Sequence, residues 1–174
     1  CRSVCQFQNE TQGGRKEFLP FSFQANGDIP FSSSSGGALY VLGKCFLRDN
    51  GVVYGCEFDK NLQARHIRVD RTEDLEKTRQ SKYVQSSVLH IYPSVVFDLK
   101  EGKKVLFCGT PCEISGLVFF CQLEKIDSSR LYLASIACHG VPSSDVLSKF
   151  VKDCEKRFGS KVENVNFRAK KKGR

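Results

Sequence analysis

The chain has 174 residues, 40% hydrophobic and 26% charged, which is the composition of a globular chain long enough to bury one core. No run of about 18 apolar residues exists, and no charged segment leads into an apolar one, so neither a membrane span nor a secretory leader is encoded and a cytoplasmic location is expected. Of the formal net charge of +8, five charges sit in Arg168, Lys170, Lys171, Lys172 and Arg174. One basic tail without interleaved aromatics reads as a solvated segment or the edge of an anion site, not as a nucleic-acid surface.

Residues 1–31 show no sustained period and carry Gly13-Gly14, Pro20, Gly27 and Pro30, the pattern of a loop-rich lead-in. The chain opens on Cys1, contains no Met and stops at Arg174 directly after a candidate strand, so it is read as a piece of a longer protein. Ser32–Ser35 and Gly36-Gly37 form a turn ahead of a helix, because Ala38, Leu39, Val41, Leu42, Cys45 and Phe46 recur at helical spacing. Small residues, hydroxyls and helix-start amides suit a phosphate, and a plain capping turn suits the same residues. No P-loop lysine follows, and Gly-x-Gly-x-x-Gly is missing.

Asp49-Asn50-Gly51 ends that helix. Strands are expected at 52–58 and 64–69 around a turn at Asp59-Lys60-Asn61, and Asp70 with Glu73 marks a short polar helix over 72–79. The second half is more regular: a helix near 93–100, a strand at 103–108, a helix at 113–124, a strand at 131–137, a helix at 144–157 capped by Ser143 or Ser144, and a strand at 162–167. The expected fold class is therefore α/β, a mixed sheet with a βαβαβ C-terminal half and a helix plus strand pair in the N-terminal half. The organisation follows as lead-in 1–31, an N-terminal part over 32–100, and the start of a C-terminal part over 101–174.

Two cysteine-bearing turns close the short buried strands. In Gly109-Thr110-Pro111-Cys112, glycine allows a sharp turn off the strand and proline suits the first helical position, so Cys112 lies at a helix N-terminus that favours its thiolate. Cys138-His139-Gly140 ends the next strand. A helix crossing between parallel neighbours would bring both thiols to the carboxyl edge of the sheet, where open α/β sheets bind ligands. Cys45, Cys56, Cys108, Cys121 and Cys154 sit in apolar patterns and read as small buried hydrophobes. Cys1-x-x-x-Cys5 is either the tail of a metal-binding array or coil. His139 next to Cys138 points to the other face of the strand and reads as structural, while His66 and His90 have no companion motif.

Six motifs in order, Ser33 to Gly37, Gly51-Val-Val-Tyr-Gly55, Ser81-Lys-Tyr-Val-Gln-Ser86, Val105 to Cys112, Cys138-His-Gly-Val-Pro-Ser143 and Phe167-Arg-x-Lys170, resemble the coenzyme F420 hydrogenase/dehydrogenase beta-subunit family over about residues 32–174. The resemblance implies a redox flavoprotein that holds FAD and a four-iron (4Fe-4S) cluster. It moves electrons between them and a deazaflavin, ferredoxin or other acceptor, beside hydrogenase or dehydrogenase subunits. It further implies cofactor contacts at Ser34, Ser35, Gly36, Gly37, Ser81, Lys82, Tyr83, Thr110 and Arg168, and cluster ligation by Cys112 and Cys138, with the other ligands elsewhere because such clusters take four thiolates. Members often carry a ferredoxin-like module upstream, of which Cys1 and Cys5 would be a remnant. The chain departs from the family pattern at Gln80 (usually Gly), Glu113 (usually Gln), Pro30 (usually Arg) and Arg174 (usually Trp). Two other readings stay open: a partner subunit that has lost its cofactors, and a thiol enzyme with Cys112 as nucleophile.

Overall fold

The computed structural model describes residues 21–88 and 90–169, and the Cys1 and Cys5 expectation lies outside them. Helix α1 (Ala38–Arg48) leads into the antiparallel pair β1 (Val52–Phe58) and β2 (Ala64–Val69). The turn between the strands is set by Asp59, whose Oδ1 accepts the N–H groups of Asn61 and Gln63 at 2.8 and 3.0 Å. Helix α2 (Thr72–Leu75) runs into a 3-10 turn at Glu76–Thr78; then come α3 (Ile91–Lys100), β3 (Val105–Gly109), α4 (Pro111–Leu123), β4 (Leu131–Ser135) and α5 (Ser144–Phe158). Asp70 does not cap α2, because its carboxylate is drawn to Arg68 Nη1 at 2.7 Å.

The strands form one sheet in the order β2-β1-β3-β4, with β1, β3 and β4 parallel and β2 antiparallel. The α/β mixed sheet expected from sequence is present, and α4 supplies the crossover between β3 and β4. β1 and β3 are central and covered on both faces, which explains why they read as unbroken apolar runs. Helices α3 and α4 pack on one face over Val52, Tyr54 and Phe107, α4 through Leu117, while α1 and α2 cover Val53, Val69 and Leu106 on the other, α2 through Leu75.

One buried carboxylate is built into the first face. Asp98 on α3 is 1% exposed and accepts from Tyr54 Oη at 2.6 Å, from Arg68 Nε and Nη2 at 2.6 and 3.0 Å, and from Lys103 Nζ at 3.0 Å. Burial pushes its acidity toward the neutral form, and the donors from Arg68, Tyr54 and Lys103 outweigh that, so the carboxyl is held below the usual aspartate range.

Two expectations change in the C-terminal half. β4 ends at Ser135, so Cys138 stands in the following loop and not at the strand end. The segment 162–167 forms no strand: it turns back from α5, with the Val162 N–H held by Glu155 Oε1 at 3.0 Å and Phe167 packed on Phe58 and Tyr83. Its apolar residues serve that packing instead of a pleat, and the βαβαβ series ends among the described residues at α5.

Candidate functional site

The site is assembled at the carboxyl ends of β1, β3 and β4 by a segment with no regular structure, residues 81–87. Its residues reach several different elements. The Ser81 N–H donates to Ser34 Oγ at 2.6 Å, joining it to the serine and glycine turn. Lys82 Nζ donates to the carbonyls of Cys56, Lys77 and Arg79 at 2.9, 3.1 and 2.6 Å, joining it to β1. Tyr83 meets Phe167 edge-on at 5.6 Å, next to Arg168, whose N–H donates to Asn166 Oδ1. The Gln85 N–H donates to the carbonyl of Pro142 in the Cys138 loop at 3.0 Å. Ser86 donates to Glu113 Oε1 at the first turn of α4, and Ser87 bridges to β2.

At the end of β3, the backbone rises into Thr110, the N-cap of α4, with Pro111 at the first helical position as expected. Thr110 and Glu113 form a capping box, in which Glu113 Oε2 accepts the Thr110 N–H at 2.7 Å. Glu113 is buried, and both its oxygens are used, one by Thr110 and one by Ser86. Cys112 is exposed on the first turn with Thr110 Oγ1 at 3.1 Å from its Sγ. The Cys138 loop starts beside that turn, since the Ile136 N–H donates to the carbonyl of Gly109 at 3.0 Å. Cys138 is half-buried, and its Sγ accepts the Gly140 N–H at 3.4 Å.

Three of the remaining cysteines are set apart by burial, whereas Cys45 is exposed on α1 and Cys154 is half-buried on α5, unlike the buried role expected for them. Burial pushes the Cys56 thiol up to about 11 and the Cys108 thiol up to about 12, and it raises Cys121 as well. A thiol held protonated is a poor metal ligand, and Cys112 and Cys138 are the cysteines that stand at the two turns of the site. Among the described residues no group of three or more His, Cys, Asp or Glu side chains comes together as a metal site. Two cysteines at adjoining turns fit part of a cluster's ligand set, with further ligands needed from outside those residues.

Ser34, Ser81, Lys82, Tyr83, Thr110 and Arg168 thus lie along one connected path. The turn's glycines have a local explanation too. A Cβ at Gly36 would stand 2.4 Å from the Phe23 carbonyl oxygen, and one at Gly37, where φ is +80°, 2.7 Å from Ile29 Cγ2, so the chain's own segment 23–29 demands both. Ser35 is exposed beside them. Burial lowers the Lys82 ammonium from the ordinary lysine value, and its three protons are spent on carbonyls, so it shapes the segment from within.

Sequence reasoning missed His66, Arg79 and the role of Glu113. His66 lies opposite Cys56 across the strand pair and stacks on Phe107 at 5.1 Å. Its Nε2 lies 2.9 Å from the Cys108 carbonyl oxygen and its Nδ1 3.1 Å from Ser86 Oγ, which completes a chain of hydrogen bonds from β2 to the Cys112 turn. It also floors an open depression of about 470 Å³ beside β2, flanked by Arg65, Arg68 and His90. The expected hairpin places 66 opposite 56, but the contacts to Ser86 and Cys108 that give His66 its role come from distant segments and leave no local mark. Gln80 has φ +67°, the left-handed region that favours glycine, which accounts for the glycine expected at that position.

The fold and its edge define a class: an α/β domain whose candidate site residues gather beyond the carboxyl ends of parallel strands, where such sheets bind ligands. Over residues 102–174 the chain matches the family model for the C terminus of the coenzyme F420 hydrogenase/dehydrogenase beta subunit. Among solved structures it resembles a chain of the F420-reducing [NiFe] hydrogenase complex from Methanosarcina barkeri, in a structure described as a xenon derivatization. The TM-score is 0.59 at 19% sequence identity, covering 75% of this chain and 47% of that one. The chain therefore spans about half the length of that relative. No curated protein matches it. Among the described residues, no helix is long and apolar enough to cross a membrane.

Proposed function

We propose that this chain is the part of a redox flavoprotein subunit that holds a flavin beside an iron-sulfur cluster. The observation that carries the reading is the convergence on residues 81–87. The serine and glycine turn, the end of β1, the Cys112 turn, the Cys138 loop and the Phe167-Arg168 turn, five segments far apart in sequence, are all bonded or packed to it. Such a hub is what a two-cofactor site needs, because the distance between the cofactors is then set by one short piece of backbone.

In this reading FAD lies along Ser34, Ser35, Gly36, Gly37, Ser81, Tyr83, Thr110 and Arg168, with Lys82 holding the segment in place through three carbonyls, and Cys112 and Cys138 supply two ligands to a 4Fe-4S cluster whose other ligands come from elsewhere. The flavin would supply hydride and single-electron chemistry, and the cluster a one-electron path to or from a deazaflavin, ferredoxin or other acceptor in a hydrogenase or dehydrogenase assembly. The protein's own residues do the positioning. Thr110 and Glu113 fix the first turn of α4, and with it the direction of Cys112, while Ser86 ties that turn to the flavin segment.

The test is anaerobic reconstitution of the full-length protein with FAD, iron and sulfide, followed by metal, sulfide and flavin analysis. Cys112→Ala and Cys138→Ala are each expected to lose iron and sulfide and keep flavin. A wild-type protein that takes up neither cofactor would instead favour a subunit that has lost them. Retention of the cluster in both variants would remove these cysteines from the ligand set.

A further inference from the structure

We infer that the N-terminal turn of α1 is a binding site for a phosphate-type oxyanion, and that its cation is Arg79. Helix α1 opens at Gly37 without a side-chain cap, so its first amides have no side-chain acceptor at the positive end of the helix. Arg79 stands at that turn. Its guanidinium carbon lies 4.4 Å from the centre of the Tyr40 ring, and Tyr40 belongs to the first turn of α1.

The second observation is an unsatisfied donor. The Arg79 side chain is 10% exposed, and its Nε is buried with no hydrogen-bond partner among the described residues. A guanidinium presents Nε–H and one Nη2–H along a single edge, the edge that Arg68 gives to Asp98 and Arg65 gives to Glu57. In Arg79 that edge is half used. Nη2 meets three oxygens, the Ile29 carbonyl at 2.8 Å, Ser33 Oγ at 3.2 Å and Ser32 Oγ in a very close contact, while the adjoining Nε–H meets none. Two protons cannot serve three acceptors well. A phosphate oxygen on the Nε–Nη2 edge would satisfy the open donor and allow the crowded serine hydroxyls to turn toward the anion.

The charges around the turn permit this. Lys44 lies 5.6 Å from the same Tyr40 ring, so two cations flank it. Against them stands Glu76, which takes the far edge of Arg79 through Nη1 at 2.7 and 3.0 Å. Lys82 is not available, since its protons are held by three carbonyls. The inference rests on the flavin reading for the source of the phosphate, and the site's chemistry is testable without flavin.

The experiment is calorimetric titration of the full chain with inorganic pyrophosphate, and separately with FAD, for wild type, Arg79→Lys and Glu76→Gln, each checked for an intact melting transition. Wild type is expected to bind pyrophosphate, with affinity falling as salt rises. Arg79→Lys keeps the charge but loses the two-pronged edge and should weaken binding about tenfold. Glu76→Gln removes the competing carboxylate and should tighten binding several-fold, whereas a purely structural clamp would be loosened by both changes. No binding to wild type, equal binding to wild type and Arg79→Lys, or weakening in both variants would each overturn the site. Pyrophosphate binding that depends on Arg79 while FAD fails to bind would uphold the site and sink the flavin reading.

Discussion

The two halves of the sheet are built to different standards. β1 and β3 are sealed between helices, and Val53, Tyr54, Val105 and Phe107 have no exposed surface. β4 and α5 are open: Tyr132, Leu133, Ile136, Val146, Phe150 and Phe158 are all exposed, and Leu147 is the residue of α5 that is buried. Both halves have apolar strands and amphipathic helices, so the difference lies in what covers them. The sealed half carries the stability and the open half carries surface. The segment 81–87 joins the two, touching β1 and α4 on one side and the Cys138 loop on the other.

Mutations should expose that contrast. The largest loss is expected from Asp98→Ala, which strands Arg68 and the Tyr54 hydroxyl in the buried face; roughly 3–5 kcal/mol should disappear from the unfolding free energy measured in urea. The same carboxyl predicts the acid limb. Its folded value is lowered, so its contribution is complete above about pH 4 and is lost as pH falls through the folded value; Asp98→Asn should flatten that part of the stability profile.

Next comes Leu117→Ala, on the buried face of α4, at about 2–5 kcal/mol, against under about 1 kcal/mol for Leu133→Ala on the exposed strand. Equal losses at the two positions would erase the distinction between the halves. Ser86→Ala removes the donor to buried Glu113 and should cost about 1–3 kcal/mol, with faster amide exchange at Thr110 as the local signature. The smallest effect has the opposite sign. Gln80→Gly relieves a side chain held at φ +67° and should raise stability by up to about 1 kcal/mol, read as a small rise in melting temperature.

Legibility followed the same boundary. The spans 52–58 and 64–69 match β1 and β2 residue for residue, because a turn set by Asp59 and a covered face leave local marks. The Cys112 turn was equally readable from Gly109 and Pro111. The pattern at 162–167 misled because apolar spacing that suits a pleat also suits single contacts, here Phe167 on Tyr83. His66 and Arg79 were unreadable for a different reason: each acts through partners 20 to 50 residues away, His66 on Ser86 and Cys108, and Arg79 on Ile29, Ser32 and Ser33. Local patterning cannot hold such information.

Cys112 and Cys138 must face one site in the folded protein if they share a cluster. A short bifunctional thiol cross-linker applied to the native protein should join them, giving a linked pair of peptides by mass spectrometry, while Cys56, Cys108 and Cys121 stay unmodified. Single modification of Cys112 and Cys138 with no linked pair would contradict a shared cluster edge.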